Sequence, residues 1–580
     1  MKSLFLFAAA LAALPQPARA GERSIPAPGD TIPAFDAHDA ATGAAVPLAG
    51  AKVAVVAFSG KGCPIASAHA PRLAELESEF APRGARFLLV NSNAQEDAAE
   101  FAAFAKAAGV AFPVVIDADQ RLADLFGVTR TGEVVLLDSE RRVVYRGAVD
   151  DQFGVGSKKP DAQRHFLREA LEAALDGRVP ATRSTSAAGC LLARAAEKRP
   201  APAGSAEYHR DVAPILRKHC VECHRPGEVG PFPLLSYRDA DGWSLMIREV
   251  VEAGLMPPWH ADPRYGRWSN ARALSDAEKK TILDWVDAGA PEGPPPASEP
   301  PLPPADPGRW HIGTPDLVIK APKQSVPARG EIDYRYAQVD TGLTEDRWVS
   351  AAEIHAGARS IVHHILVFVR YPRERQSEQP PIDGGLEAGY FACLVPGERP
   401  NVWPEGTAKL LPKGSKLVFQ LHYTANGTPQ EDESEIGLVF AKEAPRRVVT
   451  TRGINHRAIR IPPGEPNATF TTFWKPKSDV TLLSFMPHMH FRGKSFRYEA
   501  EYPDGRSEIL LDVPRYDFNW QATYRFAEPK EIPGGSKLRV TAVFDNSPGN
   551  PANPDPTKTV RWGDQTWDEM LIGYVDFVEK

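Results

Sequence analysis

Histidine and methionine side chains near the end of the chain have the types and spacing of a metal site. The stretch "SFMPHMHFRG" contains His488, Met489 and His490. Residues two apart share one face of a strand, so His488 and His490 point together while Met489 points into the core. A third ligand must come from another strand, and Met570 in "WDEMLIGY" is the best-placed candidate. Imidazole combined with thioether selects copper, above all a copper that cycles through Cu(I).

A second group of histidines lies in two earlier apolar stretches. "RSIVHHILVFV" carries His363 and His364, and "QLHY" carries His422. Adjacent side chains on a regular strand point to opposite faces, so His363 and His364 reach one ion only if the backbone is locally twisted or bulged. His422 would complete this second site. No Asp or Glu occupies a matching strand position, which argues against an iron site, and the sequence therefore predicts two copper ions.

The middle of the chain carries a motif for covalent haem. "HCVECHRPG" contains Cys220, Cys223 and His224, the C-x-x-C-H spacing that attaches c-type haem. Two thiols on one helical turn add to the haem vinyl groups, and the histidine binds the iron. A zinc site would need two more ligands at finger spacing, and none follow. The second axial ligand is expected in "EAGLMPPWHADPRYG", where Met256 is preferred and His260 is the alternative.

A helix should close this haem-binding segment. In "LSDAEKKTILDWVDAG", Ser275 and Glu278 have capping-box spacing and Gly289 is a stop signal. The apolar residues of one helix face are Ile282, Trp285 and Val286.

Length and proline content divide the chain into several units. At 580 residues the chain is expected to form about four domains. Two proline-rich stretches, at 197–208 and 291–308, separate an α/β segment, a short helical segment and a long β-rich segment. The net charge of -6 gives no sign of nucleic-acid binding.

The N-terminus predicts export. Lys2 precedes the apolar stretch "LFLFAAALAAL", and Ala18, Arg19 and Ala20 form a small-residue cleavage pattern. We therefore expect a signal peptide over 1–20, cleavage near Ala20 and a periplasmic or secreted protein. No later stretch approaches the ~18 consecutive apolar residues of a membrane helix, so no membrane span is expected.

The first segment contains short buried strands around a helical pattern. "KVAVVAFSG" and "ARFLLVNSN" read as strands with a helix between them. The segment resembles the thioredoxin-like redoxin family over residues 25–190, with Cys63 at the usual reactive position. The run "CPIA" lacks the second thiol of a C-x-x-C motif, and Gly132 and Gly60 replace the family's proline and threonine. Either Cys190 serves as a distant resolving thiol, or the fold is retained as a docking module.

Two further resemblances follow from the motifs. The helical segment is similar to small class-I-like cytochrome c domains, which implies electron transfer at a haem held by Cys220, Cys223, His224 and Met256. Residues 310–580 resemble the copper type II, ascorbate-dependent monooxygenases. That resemblance implies two jelly-roll-like β-sandwiches. The electron-transfer copper would bind to His363, His364 and His422, and the dioxygen-activating copper to His488, His490 and Met570.

The resemblance also has departures that bear on the substrate. Tyr574 matches a substrate-side tyrosine of the peptide-amidating members. Met486 stands two residues before the H-x-H, where those members carry an arginine for the substrate carboxylate. A peptide ending in glycine is therefore not the expected substrate.

Together these patterns predict a multidomain, exported copper- and haem-dependent monooxygenase. It would hydroxylate a C–H bond of a small molecule with dioxygen, using electrons from a periplasmic donor. The alternatives are a non-catalytic electron-transfer or copper-handling protein and a thiol redoxin with inert additions. The expected units are a thioredoxin-like α/β domain (21–196), an all-α cytochrome c domain (205–292), a proline-rich linker (293–309) and two all-β sandwiches (310–446 and 447–580).

Overall fold

The structure of the chain is a computed structural model, and it describes most but not all of the residues. The predicted signal peptide lies outside the described residues, as does the 299–309 part of the predicted linker. No helix within the described residues is long and apolar enough to cross a membrane. The described residues are 25–48, 50–154, 157–159, 161–194, 201–226, 228–298, 310–328, 330, 332–379, 389–395, 400–425 and 429–580.

The first segment forms an α/β sheet domain. Its central strand β1 is buried along its whole length, as the apolar run predicted. In the described part of this domain the five-stranded sheet has the order β3-β2-β1-β4-β5. The first three strands are parallel, and β4 and β5 run antiparallel. This is the expected thioredoxin-like α/β arrangement. The elements are β1 (Val53–Phe58), α1 (Pro64–Phe80), β2 (Ala85–Asn91), α2 (Ala98–Ala107), β3 (Val114–Ile116), α3 (Arg121–Phe126), β4 (Val134–Asp138), β5 (Val143–Gly147), β6 (Phe153–Gly154), β7 (Ser157–Lys158) and α4 (Phe166–Leu175).

The second segment is helical. The predicted closing helix forms, and its capping box is present because the Ser275 hydroxyl accepts from the Glu278 N–H while the Glu278 carboxylate accepts from the Ser275 N–H. Ile282, Trp285 and Val286 are all buried, which confirms the predicted apolar face. The helices are α5 (Ala213–His219), α6 (Tyr237–Gly242), α7 (Ser244–Glu252) and α8 (Asp276–Asp287).

The regular structure of the third segment is almost entirely β-strand in its described ranges. Across its described ranges, two four-stranded sheets flank one nine-stranded sheet. Separate apolar cores fill the two interfaces. The strands are β8 (Leu317–Lys320), β9 (Gln324–Val326), β10 (Arg335–Asp340), β11 (Arg347–His355), β12 (Val362–Arg370), β13 (Tyr390–Leu394), β14 (Asn401–Val402), β15 (Thr407–Leu411), β16 (Lys416–Tyr423), β17 (Gln430–Asp432), β18 (Glu435–Phe440), β19 (Arg447–Asn455), β20 (Arg460–Ile461), β21 (Ala468–Trp474), β22 (Val480–His488), β23 (Gly493–Glu501), β24 (Ser507–Val513), β25 (Tyr524–Ile532), β26 (Lys537–Phe544), β27 (Val560–Arg561) and β28 (Ile572–Glu579).

The two sandwiches share the nine-stranded sheet rather than standing apart. A short parallel pairing between β15 and β19 joins their halves. Buried Lys409 lies at this junction, where its ammonium donates to the Phe391 carbonyl at 3.0 Å and the Thr451 hydroxyl at 2.7 Å. Asp576 on β28 lies 3.4 Å from the same ammonium. Because strands of both halves meet at one lysine, the junction fixes the orientation of one sandwich against the other.

The loop after α7 packs on the second sandwich. The Arg515 guanidinium donates to the carbonyl of Ala253 at 3.0 Å, and the Asn270 amide donates to the carbonyl of Thr523 at 2.7 Å. Trp268 forms a β-bridge with Phe526. The helical segment is therefore held against the β-rich segment by backbone contacts as well as side chains.

Candidate functional site

The three histidines of the first sandwich converge at one point. His363 and His364 lie on β12 and His422 lies opposite on β16. The register between the two strands shifts between Val362 and His364, so the strand is irregular here, as binding of both histidines to one ion requires. The His363 and His364 Nδ1 atoms lie 3.1 Å apart, and the His364 and His422 Nδ1 atoms lie 3.4 Å apart.

This spacing fits a single metal ion. Two imidazole nitrogens bound to one ion at about 2.0–2.1 Å lie roughly 2.9–3.5 Å apart. Burial lowers the pKa of His364 well below its usual value, and the neighbouring imidazoles of His422 and His363 lower it further. The neutral imidazole is the form that binds metal. Among the described residues, His364 Nε2 is buried without a hydrogen-bond partner.

The H-x-H pair of the second sandwich is also preorganised. His488 ends β22, and its Nδ1 lies 2.7 Å from the Gln521 side-chain oxygen. His490 Nδ1 lies 3.3 Å from the Asp568 carbonyl. In each ring the Nδ1–H donates to its own oxygen partner. Nε2 is therefore the nitrogen that is available as a ligand atom in both rings. Burial lowers the pKa of His488 to about 4, so the ring is neutral near pH 7.

Met570 and Tyr574 lie beside this pair. Both line one cavity together with His488. The cavity volume is about 30 Å³. The Tyr574 and His488 rings are 6.4 Å apart between centroids. The structure thus gathers His488, Met570 and Tyr574 around one space, with His490 adjoining at a ring distance of 5.3 Å from His488.

Met489 lies in the apolar core, as the strand period predicted. Its side chain is fully buried among the core residues of the second sandwich. Gly493 approaches it so closely that a Cβ at that glycine would lie 2.8 Å from the Met489 Cβ. Packing therefore accounts for this methionine without a metal.

Met489→Leu is expected to preserve copper binding and to lower the free energy of unfolding by less than about 1.5 kcal/mol, because the change conserves volume in the core. His488→Ala should abolish copper binding at the H-x-H pair. Copper stoichiometry and urea denaturation of both variants test this. Loss of one copper in Met489→Leu would overturn the assignment of Met489 to packing.

Two aromatic rings connect the histidine groups of the two sandwiches. Tyr334 lies 4.6 Å from His422 and 6.4 Å from His490, measured between ring centroids. Phe518 stacks on His363 at 5.2 Å and lies 6.1 Å from His490. Among the described residues the Tyr334 hydroxyl is buried without a hydrogen-bond partner. Sequence reasoning missed both rings, which lie outside the strands that carry the histidines.

A buried carboxylate holds the backbone of the H-x-H pair. Glu569 accepts the backbone N–H of His490 at 2.9 Å and that of Arg492 at 2.6 Å. Burial raises the pKa of Glu569 to about 7, although Arg492 and the backbone donors oppose the shift. The sequence signal was a glutamate directly before the predicted ligand Met570, and it was overlooked.

The haem motif adopts the geometry of one helical turn. The N–H groups of Cys223 and His224 donate to the Cys220 carbonyl at 3.1 and 2.9 Å. His224 Nδ1 lies 3.1 Å from the Phe232 carbonyl, so Nδ1–H donates and Nε2 is the available ligand atom. Burial lowers the pKa of His224. These three residues fit covalent haem of the c type.

The two predicted axial candidates lie on the loop after α7. Met256 is half-buried, and its N–H donates to the Val250 carbonyl at 3.2 Å. His260 lines a cavity of about 450 Å³ together with His363 and His422. The loop after α7, which belongs to the segment with the haem motif, therefore faces the three-histidine group across one cavity.

Cys63 and Cys190 are brought together in the α/β domain. The Cys190 N–H donates to the Cys63 sulfur at 3.2 Å. Burial raises the pKa of Cys63, but hydrogen bonds from Cys190, Thr131 and backbone donors outweigh it and lower the pKa to about 6. The hydrogen bond to Cys63 and burial raise the pKa of Cys190. The structure brings Cys190 to Cys63 through its backbone N–H, and its role as a distant resolving thiol stays a prediction.

One known family matches this part of the chain. The Redoxin family model matches residues 27–164. This segment is a redoxin domain of the thioredoxin-like class. No curated protein matches the chain.

Several solved structures are similar to the redoxin domain. A hypothetical protein from Sinorhizobium meliloti is 28% identical, covering 30% of this chain and 95% of its own, with a TM-score of 0.26. An uncharacterized conserved protein from Geobacillus kaustophilus is 24% identical over 29% of this chain and 92% of its own, with a TM-score of 0.27. A secreted disulfide oxidoreductase from Mycobacterium tuberculosis is 18% identical over 25% of this chain and 95% of its own, with a TM-score of 0.19.

Proposed function

We propose that this chain is an exported copper- and haem-dependent monooxygenase that hydroxylates a C–H bond of a small molecule. The observation that carries the proposal is the grouping of the six predicted copper ligands. They form two groups, His363, His364 and His422 on one sandwich and His488, His490 and Met570 on the other, with Tyr334 and Phe518 between them. Export rests on the signal-peptide pattern of the N-terminus.

The protein's own side chains support a copper that changes oxidation state. Bound copper would supply one-electron chemistry with dioxygen, and haem held by Cys220, Cys223 and His224 would supply electrons. Gln521 and Asp568 orient the imidazoles of His488 and His490 through Nδ1. A neutral, buried ligand set with a thioether suits Cu(I) as well as Cu(II).

The walls of the second site favour an apolar substrate group. The Tyr390 hydroxyl donates to the Met486 sulfur at 3.3 Å, and Tyr390 stacks on Tyr574 at 4.8 Å. Leu366 and Phe368 complete this side of the cavity. Because Met486 stands where the peptide-amidating members of the resembled family carry a carboxylate-binding arginine, the proposed substrate carries no carboxylate at that position.

A non-catalytic electron carrier or copper-handling protein is the second candidate. Its support is the small size of the cavity at His488 and Met570, about 30 Å³. That volume holds about one small molecule such as water or dioxygen, so a substrate would need the side chains to move apart.

Oxygen uptake with product mass spectrometry across small substrates tests the proposal. Wild-type protein, with copper and haem counted beforehand, should form a hydroxylated product that carries one atom from ¹⁸O₂. Met570→Ala should lose product formation, and Met489→Leu, the matched control, should retain it. Full metal loading with redox cycling but no oxygenated product would favour the electron carrier instead.

A further inference from the structure

A buried tyrosine stands between the two histidine groups. Tyr334 directly precedes β10 of the first sandwich and is 8% exposed. Its ring centroid lies 4.6 Å from that of His422 and 5.5 Å from that of His364, both in its own sandwich. The ring of His490, in the other sandwich, is 6.4 Å away and almost perpendicular to it, at 88°. One side chain of the first sandwich therefore reaches the H-x-H pair of the second.

The hydroxyl of this tyrosine is buried without a hydrogen-bond partner among the described residues. A buried hydroxyl that lacks a partner costs free energy, so each such group in a native structure calls for an explanation. Packing alone does not require the oxygen, because phenylalanine would fill nearly the same volume. A bound molecule that accepts a hydrogen bond would account for it.

The same tyrosine lines the cavity beside the H-x-H pair. It shares the lining of this cavity of about 30 Å³ with His488 and Met570. The carboxylates of Glu569 and Asp564, both in the second sandwich, act electrostatically on its hydroxyl. The hydroxyl therefore lies on the side of the ring that faces the second sandwich. The cavity is large enough for a molecule of about the size of water or dioxygen.

The surroundings of Tyr334 favour donation of a hydrogen bond over transfer of an electron. Burial raises the pKa of Tyr334, and the neighbouring Tyr336, Glu569 and Asp564 raise it further. The group is a neutral phenol, which donates one hydrogen bond. Oxidation to a radical would require the phenol to lose its proton, and no acceptor for that proton lies within hydrogen-bonding distance among the described residues.

We infer that the Tyr334 hydroxyl donates a hydrogen bond to a small molecule in the cavity beside His488 and Met570, which is dioxygen during turnover. The inference rests on the proposed function, because it takes copper to bind at the H-x-H pair. Dioxygen gains negative charge as it is reduced, and a fixed donor in a buried site stabilises that charge without reorganisation. Because the donor comes from the first sandwich, the site is complete only when both sandwiches stand together.

Azide binding to the copper-loaded full chain tests this donor. Azide is a small anion that binds copper and accepts hydrogen bonds, and the infrared stretch of the bound anion follows each titration. His488→Ala, which should lack the copper of the H-x-H pair, identifies the azide band of that site. Tyr334→Phe should raise the azide dissociation constant of this site at least about tenfold and shift its band. Tyr336→Phe, the matched control, changes a residue that is 43% exposed and outside the cavity lining, and it should alter neither.

Copper is counted in every protein before azide is added. Equal affinity and equal band position in wild-type protein and Tyr334→Phe would overturn the inference, since the ring would then only fill space. Loss of copper from Tyr334→Phe would also overturn it, because the hydroxyl would then support the structure of the site rather than its ligand. Wild-type protein without copper at the H-x-H pair would overturn both the inference and the proposed function. The expected azide response without any oxygenated product would support the inference and overturn the proposed function alone.

Discussion

Replacing His364 by alanine is expected to remove one of two coppers per chain and to lower product formation more than about 100-fold. His364 supplies the central nitrogen of its group, 3.1 Å from that of His363 and 3.4 Å from that of His422. Mutation of a residue that hydrogen-bonds to a metal ligand already lowers metal affinity or activity about 10–100-fold. Loss of a direct ligand should lower them by more than that.

The measurement is copper content by elemental analysis, followed by oxygen uptake on the same samples. His311→Ala is the matched control, because this histidine is 70% exposed and lies on the first sandwich outside the three-histidine group. It should keep two coppers and normal uptake. A His364→Ala protein that still binds two coppers would show that the three-histidine group is not a copper site.

The local features of the site were predictable because strand geometry is local. The two-residue period placed His488 and His490 on one face and Met489 in the core, without knowledge of any partner strand. The irregular register beside His363 followed in the same way, since two adjacent histidines cannot share a side of a regular strand. The sequence of β12 alone was therefore enough to predict an irregular backbone beside His363.

The partners that orient these ligands were not predictable. Gln521 and Asp568 reach His488 and His490 from segments 33 and 78 residues away, measured along the chain. Tyr334 comes from the other sandwich. No spacing rule links such residues, because loop paths and sheet order decide which of them meet.

The shared nine-stranded sheet escaped prediction for the same physical reason. Two tandem sandwiches were expected, but β15 and β19 join them through a parallel pairing of two residue pairs. So short a pairing leaves no periodic signal in the sequence. Lys409 could have indicated this junction, because a lysine in an apolar strand requires a buried partner, and that partner is Asp576.

Glu569→Ala is expected to lower the free energy of local unfolding around the H-x-H pair by about 3–5 kcal/mol, the usual range for breaking a buried, charge-assisted contact. Glu569 is 0% exposed and accepts two backbone N–H groups, those of His490 and Arg492. Alanine leaves both donors unpaired in the core. It also leaves the Arg492 side chain, which is 2% exposed, without its nearby carboxylate.

The effect should be local, because Glu569 contacts one end of one sheet. Hydrogen exchange followed by mass spectrometry should show faster exchange in peptides covering 484–496 and 565–575, and unchanged exchange in β1 of the redoxin domain. Glu569→Gln keeps an acceptor oxygen for one N–H and should cost less than half as much as alanine. Copper affinity at His488 and His490 should fall in the same order, since the carboxylate fixes the backbone that positions His490. Equal exchange in all three proteins would mean that the turn after β22 is held by other contacts and that Glu569 does not position the ligand.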